Sequence, residues 1–163
     1  MDNRLALVLA EDDTDDRRLF EDAMFHSRAY VKDVKFAIDG LELLHRLRGE
    51  GKFEQDHRKC QPDLVVIDLG MPGMDGFALL EEMKQDEYLR SIPVIVLSGT
   101  ERTSDVRRCY DLGASGFMVK PDTHSELQSM FLQLTKYWSE LMKSPRKKIF
   151  TSSADPVSFR VSK

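Results

Sequence analysis

Residues 64–80 read LVVIDLGMPGMDGFALL. Four apolar residues, Leu64 to Ile67, run into a carboxylate at Asp68, and from Phe77 apolar residues recur at helical intervals as far as Glu87. Six residues, 63–68, therefore read as a strand and the following segment as a helix. A run with so little polar alternation needs cover on both of its faces, which a parallel sheet between helices provides.

The same unit recurs on either side. Strand-like runs fall at 5–10 (LALVLA), 34–38 (VKFAI), 63–68 (DLVVID), 93–98 (PVIVLS) and 116–120 (GFMVK). Helical spacing occupies Asp15–His26, Leu41–Arg48, Phe77–Glu87, Ser104–Leu112 and Ser125–Met142. In the last of these, Leu127, Met130, Phe131, Leu134, Trp138 and Leu141 recur at intervals of three or four residues; the Met and aromatic positions of the helices are expected in the core, and the large groups Tyr137, Trp138 and Leu141 at the end of the last helix suggest a homodimer contact. Five strands alternating with five helices predict an α/β fold, a five-stranded parallel sheet with helices on both faces.

In such open sheets ligands bind beyond the carboxyl ends of the strands. Here those ends carry Glu11, Asp12 and Asp13, then Asp68, then Ser98-Gly99, then Lys120-Pro121. Taken singly, an Asp at a strand end is usually a cap, Ser-Gly a turn and Lys-Pro a loop. Taken together they suit one chemistry. Carboxylates can hold Mg²⁺, which favours oxygen ligands, and an aspartate beside it can attack phosphorus to form an acyl phosphate. Ser98 and Lys120 would bind the phosphoryl oxygens, and phosphoryl transfer asks for little beyond positioning and charge neutralisation.

Composition bounds the alternatives. A chain of 163 residues with 41% apolar and 32% charged residues fits one folded domain. No apolar run is long enough to span a bilayer, and MDNR at the start does not open a secretory signal, so a cytoplasmic protein without membrane contact is expected. The formal net charge of -4 divides unevenly: residues 143–163 carry six Lys or Arg against one Asp, a balance of +5, leaving -9 for residues 1–142. An acidic body is a poor partner for nucleic acid. The segment 143–163, rich in Ser, Pro and Lys, reads as a disordered basic tail following a domain over 1–142. Cys60 and Cys109 lie far apart and are expected unpaired, and His57 with Cys60 supplies too few ligands for zinc. Neither a phosphate-binding Gly-x-x-x-x-Gly-Lys loop nor a dinucleotide Gly-x-Gly-x-x-Gly motif occurs.

LVVIDLGMPGMDGFALL, with LAEDD (9–13) before it and IPVIVLSG (92–99) and GASGFMVKP (113–121) after it, resembles the CheY-like receiver domain of two-component response regulators over about residues 4–142. The resemblance implies a flavodoxin-like topology with Mg²⁺ as cofactor and Asp68 as phosphoacceptor. It implies metal binding by Asp12 directly, by Glu11 through water, by Asp68, and by the backbone carbonyl of Gly70. It makes Ser98 the switch hydroxyl, Lys120 the phosphate-binding lysine joined to Pro121 by a cis peptide, and Phe117 the switch aromatic. Residues 11–16 hold five carboxylates in six positions. The cation accounts for Glu11 and Asp12, and Asp13, Asp15 and Asp16 are expected to cap and charge the first helix.

The connection RGEGKFEQDHRKCQPDLVVIDL (48–69) and the ending YWSELMKSP (137–145) resemble single-domain regulators of the cyanobacterial phytochrome response regulator type. That narrower likeness implies a phytochrome-type sensor histidine kinase as partner. It also implies a homodimer through the helix over 104–112, the strand over 116–120 and the helix over 125–142. The expected function is a phosphoacceptor switch that promotes its own phosphorylation and dephosphorylation and signals to a downstream protein, since no output domain follows residue 142. Two stretches depart from the expected pattern: Gly70 replaces the usual Asn, and Ser98-Gly99 replaces the commoner Thr-Thr or Thr-Ala; Phe117 lacks a hydroxyl, so a switch there works by packing. A metal-dependent phosphohydrolase would carry a second Asp at the Gly70 position. A receiver that had lost phosphorylation would lack the acid pair, the acceptor or the lysine, and all are present.

Overall fold

The computed structural model describes residues 2–57 and 61–143; Cys60 and residues 144–163 of the expected tail lie outside the described residues. Five strands, β1 (Leu5–Ala10), β2 (Val31–Ala37), β3 (Leu64–Asp68), β4 (Val94–Ser98) and β5 (Gly116–Val119), form one sheet in the order β2-β1-β3-β4-β5. Every pairing is parallel. The helices are α1 (Thr14–His26), α2 (Gly40–Arg48), a short α3 (Glu54–His57), α4 (Gly76–Gln85), α5 (Thr103–Asp111) and α6 (His124–Glu140).

Successive residues of a strand face opposite sides of the sheet, and the core divides accordingly. Leu5, Leu7 and Leu9 of β1, Leu64 and Val66 of β3, and Ile95 and Leu97 of β4 pack under α1 and α6. Val8 and Ala10, Val65 and Ile67, and Val94 and Val96 face the other way, under α2, α4 and Cys109 of α5. Phe20 of α1 meets Phe131 of α6 edge to face at 5.1 Å between ring centres. Trp138 belongs to this same cluster, so its bulk serves the core.

Aspartates start three of the long helices. Asp13, Asp39 and Asp75 each accept backbone N–H bonds from the first turn that follows, and Thr123 does the same for α6. These caps satisfy amides that have no partner within the helix. No side chain caps α5, and Cys109 is its one buried residue.

Two expectations are corrected here. β2 begins at Val31, three residues before the predicted 34, because it is an edge strand whose exposed Lys32 and Asp33 break the apolar run. The Lys120–Pro121 bond is trans, as is every other peptide bond among the described residues; trans is the favoured form of an X–Pro bond. The connection after α2 also holds an unexpected 3₁₀ turn, Gly51–Phe53, and α3. Phe53 anchors it, buried beneath the cations of Arg46 and Lys52 at 4.2 and 4.9 Å from its ring centre.

Candidate phosphoacceptor site

The parallel register brings the strand ends level. Ala10 of β1 stands beside Ile67 of β3, Asp68 beside Leu97 of β4, and Ser98 beside Val119 of β5. Glu11, Asp68, Ser98 and Lys120 are therefore neighbours along one edge. Gly76 allows α4 to begin against the end of β3: a Cβ there would lie 2.9 Å from Leu69 Cα and 3.1 Å from the Asp68 carbonyl oxygen.

The centre of the site is the Lys120 ammonium. Its Nζ donates to Glu11 Oε2 at 2.7 Å and to Asp16 Oδ2 at 3.0 Å, and it forms an ion pair with Asp68 Oδ2. Asp68 Oδ1 accepts from the Gly70 N–H at 2.7 Å, so both carboxylate oxygens are oriented. Glu11 is only 2% exposed, and its Oε1 accepts from the Asp13 N–H at 3.1 Å.

Burial pushes the Glu11 carboxyl up to about 7, against the pull of Lys120 and the Asp13 amide. Burial also disfavours the Lys120 ammonium, but its bonds to Asp68, Glu11 and Asp16 outweigh that and raise its pKa. The pattern is that of anions brought together out of water and compensated by one cation. Ser98 is buried, and its Oγ accepts from the Thr100 N–H at 3.2 Å. Phe117 is half-buried against the cluster on the α2–α4 side of the sheet.

Asp12 stands exposed beside Glu11. No three His, Cys, Asp or Glu side chains among the described residues are arranged as a metal cage. The carboxylates of Glu11, Asp68 and Asp16 converge on Lys120 instead. Their chemistry nonetheless suits a hard divalent cation: the donors are oxygens, Glu11 is held out of water, and one cationic group already compensates it. Glu11, Asp12, Asp68 and the Gly70 carbonyl are the groups that would hold such an ion.

Sequence reasoning placed Glu11, Asp68, Ser98 and Lys120 at one edge, and the structure brings them together. Asp13 caps α1 as expected, with Oδ1 accepting from the Asp15 and Asp16 amides at 2.8 and 2.9 Å. Asp16 does more than charge the helix, because it joins the Lys120 cluster. Its residue type and position fit a first helical turn equally well, so nothing in the sequence separated the two roles. Thr100, two residues past Ser98, was also missed as the partner of that hydroxyl.

A strand-end carboxylate gripped by a strand-end lysine, at one edge of a parallel sheet of this order, is the arrangement that Asp68 and Lys120 make. The response regulator receiver domain model matches residues 7–132, and the chain belongs to that family, the phosphoacceptors of two-component signalling. Response regulator Rcp1 of Synechocystis sp. is 30% identical over 139 residues, covering 85% of this chain and 92% of its own. Two-component response regulator ORR4 of Oryza sativa subsp. indica is 30% identical over 148 residues; the alignment covers 86% of this chain but 63% of ORR4. Among solved structures, the phosphorylated cyanobacterial phytochrome response regulator RcpA is similar at a TM-score of 0.80 and 31% identity, covering 88% of this chain and 99% of RcpA. The Mn²⁺-bound form of Rcp1 is similar at 0.74 and 28%, covering 87% and 99%.

Proposed function

We propose that Asp68 accepts a phosphoryl group from a sensor histidine kinase in a Mg²⁺-dependent reaction, and that the phosphorylated chain signals by binding a downstream protein. The observation that carries this reading is the three-way contact of Lys120 with Asp68, Glu11 and Asp16 at the strand ends. RcpA in its phosphorylated form and Rcp1 with Mn²⁺ support it by likeness. The same likeness favours a phytochrome-linked kinase. No helix among the described residues is long and apolar enough to cross a membrane, in keeping with a cytoplasmic encounter.

A carboxylate oxygen of Asp68 attacks the phosphorus of a phosphohistidine. The new O–P bond forms as the P–N bond breaks, and the imidazole leaves with the electron pair. The Gly70 N–H holds one Asp68 oxygen in place during the attack, and Lys120 follows the phosphoryl oxygens. Glu11, Asp12, Asp68 and the Gly70 carbonyl would hold the divalent ion, which would supply further charge neutralisation when bound. Phosphorylation adds roughly -1.5 to -2 units of charge. That charge draws the Ser98 hydroxyl away from the Thr100 amide, and Phe117 repacks against the vacated space. Hydrolysis of the acyl phosphate by water returns the carboxylate and releases inorganic phosphate.

The exposed apolar residues Tyr110 of α5, Val119 of β5, and Tyr137 and Leu141 at the end of α6 belong to the elements of the proposed homodimer face. Trp138, being buried, is not part of it.

Incubation with acetyl phosphate and Mg²⁺ should raise the protein mass by one phosphoryl group. Asp68→Asn should abolish the gain, and chelator or Asp12→Ala should suppress it in a protein that keeps Asp68. Undiminished labelling of Asp68→Asn would overturn the acceptor, and an equal rate in chelator would overturn the metal.

A further inference from the structure

An ammonium has three N–H bonds to give, and in Lys120 each has an acceptor: Asp68, Glu11 and Asp16. The three acceptors differ in origin and surroundings. Glu11 and Asp68 come from strand ends and are buried, whereas Asp16 comes from the first turn of α1 with its side chain 41% exposed. Asp16 is not needed to start that helix, because Asp13 already caps it through the amides of Asp15 and Asp16. The Asp16 carboxylate thus makes a contact that helix formation does not require.

We infer that Asp16 is a positioning residue that competes with the incoming phosphoryl group for Lys120 and so restrains phosphorylation of Asp68. The inference rests on the reading of Asp68 as acceptor. Phosphoryl oxygens can receive a Lys120 N–H only when one of the three present bonds is released. The bond to Asp16 is the one released, since an ion pair open to water is the cheapest to break. Its negative charge also faces the arriving anion, so sequestration of the ammonium and direct repulsion act in the same direction. A chain so arranged resists anionic phosphodonors that lack the docking contacts of a kinase.

The experiment compares wild type, Asp16→Asn, Asp16→Glu and Asp15→Asn at saturating Mg²⁺. It uses two readouts: the initial rate of labelling at low acetyl phosphate, and the affinity for beryllofluoride, which takes the place of the phosphoryl group. Asp15 is the control because its removal changes the charge of the same turn equally. Its side chain is 90% exposed and faces Arg18 at 3.9 Å. Asp16→Asn should raise the labelling rate and tighten beryllofluoride binding about two- to fivefold, the range an ion pair of this exposure commands. Asp16→Glu should restore wild-type values, and Asp15→Asn should change both by less than about 1.5-fold, as expected of an exposed, screened charge.

Equal effects of Asp15→Asn and Asp16→Asn would overturn the inference by reducing it to a general charge effect. No change in Asp16→Asn, or weaker binding, would overturn it too, the latter by showing that Asp16 holds Lys120 where the phosphoryl group needs it. Wild-type protein that takes up no phosphoryl group and binds no beryllofluoride would instead refute the underlying reading of Asp68. Thermal unfolding of each variant establishes that the comparison is between folded proteins.

Discussion

Beside Asp68, a single methyl group has unequal consequences for stability at two glycines. A Cβ on Gly76 would lie 2.8 Å from Leu69 Cδ2, 2.9 Å from Leu69 Cα and 3.1 Å from the Asp68 carbonyl oxygen. Two of those atoms are backbone and cannot swing aside, so either the end of β3 or the start of α4 must move. Gly76→Ala should cost about 1–3 kcal/mol, as overpacking does, and should slow labelling by shifting Asp68. A Cβ on Gly70 would meet only Asp68 Oδ1, at an ordinary 3.4 Å. Gly70→Ala should therefore stay within about 0.5 kcal/mol of wild type while slowing labelling, because the methyl stands beside Asp68 Oδ1, the oxygen that the Gly70 N–H orients. Urea unfolding and acetyl phosphate labelling check both variants, and equal losses of stability would contradict the contrast. The placement of Asp68, Lys120 and Glu11 at one edge was legible because each ends an apolar run. Asp16 was not, because an acid in a first helical turn has the same residue type and position whether it charges the helix or grips a lysine across the site.

Among the elements, α4 and α2 are tied where α4 ends. Asp86 Oδ1 accepts from the Tyr88 and Leu89 amides at 2.8 and 3.1 Å, and its Oδ2 accepts from Arg48 Nε of α2 at 3.1 Å. Burial disfavours the charged carboxyl, but the two amides and the Arg48 guanidinium outweigh it and hold its pKa below the ordinary 3.8. The folded chain thus binds fewer protons at Asp86 than the unfolded chain in the acid range. The stabilisation is complete above the unfolded value and is lost as pH falls through the folded one. Asp86→Ala should lower the unfolding temperature at pH 7, and the gap to wild type should narrow as pH falls from 5 towards 3. A gap that stays constant would mean that the carboxylate charge plays no part. Most elements were readable from periodicity, since near-continuous apolar runs and three-to-four spacing leave few alternatives. The exceptions have physical causes. β2 has an exposed polar edge that shortens its apparent run, and the 3₁₀ turn with α3 is held largely by one aromatic, Phe53, which is too little to make a period.

For the whole molecule, the proposed homodimer turns on the end of α6. Tyr137 and Leu141 are exposed at the end of α6, while Trp138 is buried in the core, so the first two are the residues to change. Sedimentation should find wild type dimeric, more so with beryllofluoride, and the double variant Tyr137→Ser with Leu141→Ser monomeric. A monomer under every condition at high concentration rules the assembly out. Among the described residues, the order β2-β1-β3-β4-β5 also leaves β2 and β5 as the two edges of the sheet, and they are guarded differently. β2 carries Lys32, Asp33 and Lys35 along its length, charges that discourage another strand from adding to it. β5 reads Gly-Phe-Met-Val, with no charge of its own, and relies on being four residues long and followed closely by Pro121. Resistance to aggregation at high concentration is therefore most sensitive at the β5 margin, where replacing Pro121 would remove the residue that stops a strand from growing along an edge whose own four residues carry no charge.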